Sequence, residues 1–336
     1  MAEGPLQGIR VVDLTRLLPG PYATLALSDL GADVVKVEEP AVGDYLRQTS
    51  AEMFAAVNRG KRSVALDLRK DPDTFRKLCG AADVLVESFR PGVLERSGID
   101  FAAEFPRLVI VRVTGFGQQG PWRETAGHDI GYMALAGVIA GAGSLPNLQI
   151  ADYAGGASAV IALLGALLLR ERTGKGSVVD VALADAAMQL ILPRVGVPDL
   201  GLDGSSPCYR VYTCQGGKRY SLGALEPKFW ARFCKAVGKL QWEDRAFDRT
   251  LVPEADALFA QRTREEWDAD LRQVDCCGEP VVEVAELSTH PYAAARNLFA
   301  APGLLRGQPS FGNPAPTSPA PTLGQHTDEV LAEWLR

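Results

Sequence analysis

Two short segments carry the side chains best suited to chemistry. Gly127-His128-Asp129 offers an imidazole, and Ala151-Asp152-Tyr153-Ala154-Gly155-Gly156 offers a carboxylate ahead of a glycine pair and a long apolar run. The chain has only three histidines, His128, His290 and His326, so few side chains titrate near neutrality without perturbation. Asp152 is expected just ahead of a helix from Ala154 to Arg172. A helix start presents unpaired N–H groups and the positive end of the dipole, and both favour a developing oxyanion. Plainer roles exist: an N-cap worth about 1 kcal/mol for Asp152, and a loop hydrogen-bonder for His128. His290 and His326 read as helix caps or partners of backbone groups. No HExxH, HxH or CxxC pattern occurs, so no metal site is expected.

The elements that must position these groups alternate. Ile9–Leu14, Asp33–Glu38, Ser63–Leu68, Asp83–Glu87 and Leu108–Val113 read as strands, with helices over Tyr22–Leu30 and after Asp71-Pro72. This rhythm implies βαβ units and a parallel sheet. The turn after the first strand, TRLLPGPYA, has two prolines and no GxGxxG, which argues against a dinucleotide. The fold class is therefore α/β: a large Rossmann-like parallel-sheet domain plus a smaller α+β domain. The expected boundaries are 1–192 for the large domain (completed by 325–336), 193–207 for a linker, 208–300 for the small domain and 301–324 for a Pro-rich return linker. In the small domain Tyr209–Thr213 and Arg219–Leu222 read as a hairpin, and Pro227–Ala236 as a helix.

Composition bounds the class. The 336 residues are 47% hydrophobic and 23% charged, enough for a core, and 336 residues suggest two domains. The net charge of −6 without a basic run argues against nucleic acid or an anionic membrane as partner. Six irregularly spaced cysteines suggest reduced thiols, with Cys276-Cys277 expected buried. The first residues lack signal-peptide features, and Ala157–Leu169 is short for a membrane span, so it reads as a buried helix of a cytoplasmic protein.

The motifs together resemble CoA-transferase family III (CaiB/BaiF type), and within it the α-methylacyl-CoA racemases. They include GIRVVDLTRLLPGPYATLALSDLGADVVKVE, NRGKRSVALDL, DVLVESFRPGVLERSGI, VTGFGQQGPW, AGHDIGYMALAGV, ADYAGGA, GALEPKFW and LGQHTDEVL. The resemblance implies catalytic His128, Asp152 and Glu226, although ADY here stands where GDF is usual. It implies inversion of the α-carbon of a 2-methylacyl-CoA by two-base proton transfer through an enolate, with Glu226 orienting His128. CoA enters as part of the substrate, with no permanently bound cofactor. Its candidate contacts are Lys61, Arg62, Arg90, Arg96, Gly127, Asp129 and Tyr132, with the 115–121 loop along the pantetheine or acyl channel. Phe116 and Trp122 are alternatively core. Glu39 stands where the family often has Arg, which removes one phosphate partner. The resemblance also implies an interlocked homodimer. Two rivals remain: a CoA-transferase with Asp152 as nucleophile, and a non-catalytic acyl-CoA binder.

Overall fold

The computed structural model describes residues 4–197, 201–301, 304–306 and 318–336. The chain divides into two compact units, Met1–Leu192 with Arg296–Arg336, and Pro193–Ala295.

The first unit is built on six parallel strands. β1 (Arg10–Asp13) leads to α1 (Pro19–Asp29), and β2 (Asp33–Glu38) to α2 (Ala51–Asn58). Then come β3 (Arg62–Ala65), α3 (Pro72–Ala81), β4 (Val84–Glu87), β5 (Val109–Thr114), α4 (Asp129–Leu135), α5 (Ile150–Thr173), β6 (Val178–Ala182) and α6 (Leu183–Leu190). The strand order is β3-β2-β1-β4-β5-β6. The order reverses between β1 and β4, which makes that junction the topological switch point.

The strands are Val- and Ile-rich runs because both sheet faces are covered. Neighbouring residues go to opposite cores. Val11, Val34, Val84, Val109 and Val111 pack with Leu27, Ala159, Leu163 and Ala187 from α1, α5 and α6. Val12, Val35, Val64, Leu85 and Ile110 pack with Phe75 and Leu78 of α3 and with Val330 and Trp334. Full burial of such side chains stabilises by roughly 1.5–3 kcal/mol each. α3 starts as its sequence predicts, with Asp71 accepting from Thr74 N–H and Pro72 in the first turn.

The second unit pairs β7 (Tyr209–Thr213), β8 (Arg219–Gly223) and β9 (Gly278–Pro280) antiparallel. α7 (Pro227–Ala236), α8 (Val252–Phe259) and α9 (Arg264–Leu271) pack on this sheet around Trp230, Phe233, Trp242 and Phe259. α10 (Thr327–Trp334) belongs to the first unit. His326 N–H donates to Ser63 O, and its Nδ1 accepts Ser63 N–H. The chain end is therefore pinned to β3.

Three expectations change. α5 begins at Ile150 rather than Ala154 and runs for 24 residues. It is also not a buried helix. Ala151, Gly155, Ala159, Leu163 and Leu167 are buried, while Tyr153, Ala157, Ile161, Leu168 and Leu169 form an exposed apolar stripe, Ile161 being 72% exposed. By length and composition alone α5 is apolar enough to cross a bilayer. Cys276 is buried but Cys277 is exposed, its backbone turned into the left-handed region at φ 58°. In the 301–324 linker, Leu304–Leu305 pairs with Phe299–Ala301. Residues 302–303 and 307–317 of it lie outside the described set, as do 198–200 of the first linker.

Candidate active site

His128 immediately precedes α4, in extended backbone at φ −132° and ψ 168°, and makes no side-chain capping bond. It is exposed at the end of the loop leaving β5. That loop is shaped by Tyr132 one turn into α4. A Cβ at Gly115 would lie 2.4 Å from Tyr132 Oη, and one at Gly127 would lie 2.7 Å from its ring. Only glycine at both positions lets the loop close over the ring. Phe116 packs edge-on to the same ring at 5.2 Å. Tyr132 is therefore buried beneath the loop. Burial, then Asp152 and Asp129, push its hydroxyl up to about 12.

Asp152 is the third residue of α5, in its first turn rather than ahead of the helix. Its N–H donates to Asp129 Oδ1 at 3.0 Å, so Asp129 caps α5 from the start of α4. This bond ties His128's segment to Asp152's. It also engages a carboxylate that the sequence assigns to CoA. The glycine pair has a packing role. A Cβ at Gly155 would sit 2.1 Å from Leu183 Cδ2, and one at Gly156 would sit 2.7 Å from Pro19 O. The two glycines let α5 press against α6 and α1, which fixes where its first turn points.

His128 and Asp152 line one cavity of about 410 Å³, with Asp129, Ile130, Met133, Leu145, Pro146, Asn147, Leu148 and Gln149. Burial first, and the nearby Asp129 charge second, push the Asp152 carboxyl from 3.8 up to about 7. Such a carboxyl is both acid and base at neutral pH. The 145–149 wall was not singled out in the sequence. Its only signal there is an apolar, Pro-containing turn before a long helix.

The expected phosphate cations separate. Lys61 Nζ is buried and engaged by Asp13, Thr24, Asn58 and Pro21 O, so it is not a CoA contact. Its neighbours include Asp44 and Lys36. Arg62 is likewise committed, to Asp33, Glu329 and Glu333. Arg90 and Arg96 are exposed and make no ion pair among the described residues. Glu39 Oε2 accepts from Ala41 and Val42 N–H, capping its own turn. Trp122 is 57% exposed, not core. Glu226 belongs to the second unit, exposed at the N-cap of α7 without a side-chain cap bond. No group of three or more His, Cys, Asp or Glu among the described residues is placed to hold a metal.

Comparison with known proteins decides the family, because the family described as "CoA-transferase family III" matches residues 6–327. The chain belongs to that family. It is 34% identical to human "Alpha-methylacyl-CoA racemase" over 368 aligned positions, covering 98% of this chain and 93% of the relative. It is 31% identical to mouse "Succinyl-CoA:glutarate CoA-transferase", covering 99% of this chain and 87% of the relative. A solved CAIB/BAIF family protein from Brucella suis superposes with a TM-score of 0.86 at 27% identity, covering 99% of this chain and all of that one. The family thus holds racemases and CoA-transferases, and CoA enters as part of a thioester substrate.

Proposed function

We propose that this chain is a racemase or epimerase that inverts the α-carbon of a 2-methylacyl-CoA by two-base 1,1-proton transfer through an enolate. The observation that carries this reading is the shared cavity, with the imidazole of His128 and a carboxyl at about 7 on Asp152. A thioester α-proton is weakly acidic, so its removal needs a base at contact distance and a stabilised enolate oxygen. One group takes the proton and the other returns one to the opposite face. The roles exchange with the hand of the substrate. The first turn of α5 supports the enolate oxygen through its dipole and the N–H groups that Asp129 leaves free.

In this reading Arg90 and Arg96 hold CoA phosphates, and the 115–121 loop lines the channel. Glu226 orients His128 across the subunits of an interlocked homodimer, whose contact includes the exposed stripe of α5. The protein works in the cytoplasm.

A second reading has one specific support, the relatives named as CoA-transferases at about the same identity. There the Asp152 carboxylate attacks the thioester and displaces CoA. Two features favour the first reading: a carboxyl held near 7 is only partly ionised at neutral pH, and the 214–217 turn (CysGlnGlyGly) has no run of glycines. Trapping with hydroxylamine separates the two. A racemase incubated with acyl-CoA leaves Asp152 unmodified, whereas a hydroxamate at Asp152 overturns the proposal. Under the proposal His128→Ala and Asp152→Asn each retain CoA-thioester binding and lose racemisation by about 100-fold or more. Full racemisation by either variant removes that residue from the mechanism. An acyl-CoA binder without catalysis exchanges no α-proton in any variant.

A further inference from the structure

At the switch point of the sheet one arginine is held without a carboxylate partner. Arg16 follows β1, and its guanidinium lies over the Tyr45 ring at 5.3 Å and the Phe89 ring at 6.0 Å. Nη1 donates to Tyr45 Oη at 3.3 Å, and the Arg16 N–H donates to Ser88 Oγ at 3.2 Å. The next residue, Leu17, takes φ 66°, a left-handed conformation that a leucine rarely adopts. Asp44 holds it there by accepting Leu17 N–H at 3.2 Å. Below, Lys36 Nζ donates to Thr15 O, and Thr15 donates to Asp13 through both its N–H and its hydroxyl. Segments leaving β1, β2 and β4 thus combine to fix a single cation on the carboxyl edge of the sheet. Four nearby cations are spent on carboxylates, Lys36 on Asp44, Arg47 on Glu38, Lys61 on Asp13 and Arg112 on Glu95, while the unpaired Arg90 and Arg96 are exposed. Arg16 makes no such pair among the described residues. In an open parallel sheet, ligands sit outside the carboxyl ends of the strands at the switch point. A planar fork set over two rings and bonded to one of their hydroxyls is pre-organised for phosphate oxygens.

We propose that Arg16 is a phosphate-binding residue for the CoA moiety. This rests on the CoA-thioester reading above. It also accounts for Glu39: the loop leaving β2 carries no cation at its start and instead supplies Tyr45 as the platform for a cation from the neighbouring strand.

The test compares three thioesters of one 2-methylacyl group: CoA, 3′-dephospho-CoA and pantetheine. Replacing Arg16 by Met raises KM for the CoA thioester about tenfold or more, changes kcat by less than twofold, and leaves kcat/KM with the pantetheine thioester as in the parent. Arg16→Lys recovers part of the lost KM. The dephospho substrate assigns the contact: a loss that persists with it places Arg16 on the pyrophosphate, and a loss that vanishes places it on the 3′-phosphate. An unchanged KM for the CoA thioester, or an equal loss with pantetheine, makes Arg16 structural and overturns the proposal. Should Arg16→Met not fold, Arg16→Gln is read by the same criteria. A parent enzyme that turns over CoA and pantetheine thioesters with equal KM overturns the proposal while sparing the racemase chemistry. One that turns over neither overturns both.

Discussion

The Asp152 carboxyl is displaced by burial and by one neighbouring charge, and the second cause can be removed alone. Asp129→Asn deletes that charge and keeps a side-chain oxygen to accept Asp152 N–H. The rise from 3.8 to about 7 corresponds to about 4 kcal/mol at roughly 1.4 kcal/mol per pH unit. Burial is the larger cause, so Asp129 accounts for less than half, up to about 2 kcal/mol or roughly 1.5 pH units. The sign follows from the charge. With a neutral neighbour the ionised form of Asp152 is less disfavoured, and its pKa falls. The assay is the pH dependence of kcat/KM for racemisation, whose limbs report the free enzyme and belong to the coupled acid–base pair. The limb governed by Asp152 moves to lower pH by between about 0.5 and 1.5 units. A limb that stays in place, or moves up, refutes either the proximity of the two carboxylates or the role of Asp152.

Other outcomes follow from the packing. Lys61→Met strands the buried Asp13 carboxylate and costs about 3–5 kcal/mol, measured by urea unfolding at pH 7. Asp13 is held at about 2 against 3.8, so its stabilisation is present above pH 4 and is lost as pH falls towards 2; acid titration of the parent's stability checks this. Gly156→Ala drives a Cβ into Pro19 O and the Tyr22 ring, costing about 1–3 kcal/mol. Because α5 carries Asp152, kcat falls more than KM changes. Under the proposed homodimer, Ile161→Asp with Leu168→Asp places charges on its α5 contact, and light scattering reads monomers for the variant and dimers for the parent.

The sheet was legible because its strands are buried on both faces, which forces runs such as RVVD and VIVRVT, and because Asp71-Pro72 marks a helix start that local chemistry alone specifies. The start of α5 was not legible. Gln149 supplies no side-chain cap, and the capping carboxylate comes from Asp129, 23 positions before the Asp152 N–H it accepts. Lys61 reads as a candidate CoA contact in NRGKRS, yet its partner Asp13 lies 48 positions away across the sheet. Burial of a charge depends on such distant pairing, which no local pattern carries. The exposed stripe of α5 is hidden for a different reason. Its residues are as apolar as those on the buried face, so periodicity cannot tell the two faces apart. His128 and Asp152 were found through their motifs. Their common cavity depends on the Asp129 cap and on Gly115, Gly127, Gly155 and Gly156, whose close contacts appear only in three dimensions.

The most direct measurement is proton exchange at the α-carbon. Purified protein is incubated in heavy water with one enantiomer of a 2-methylacyl-CoA and no acyl acceptor, then followed by mass and chiral analysis. The account predicts one deuterium at C2, appearing together with the opposite enantiomer and abolished by Asp152→Asn. Unlabelled, uninverted thioester, alongside acyl transfer once a carboxylate acceptor is added, contradicts it.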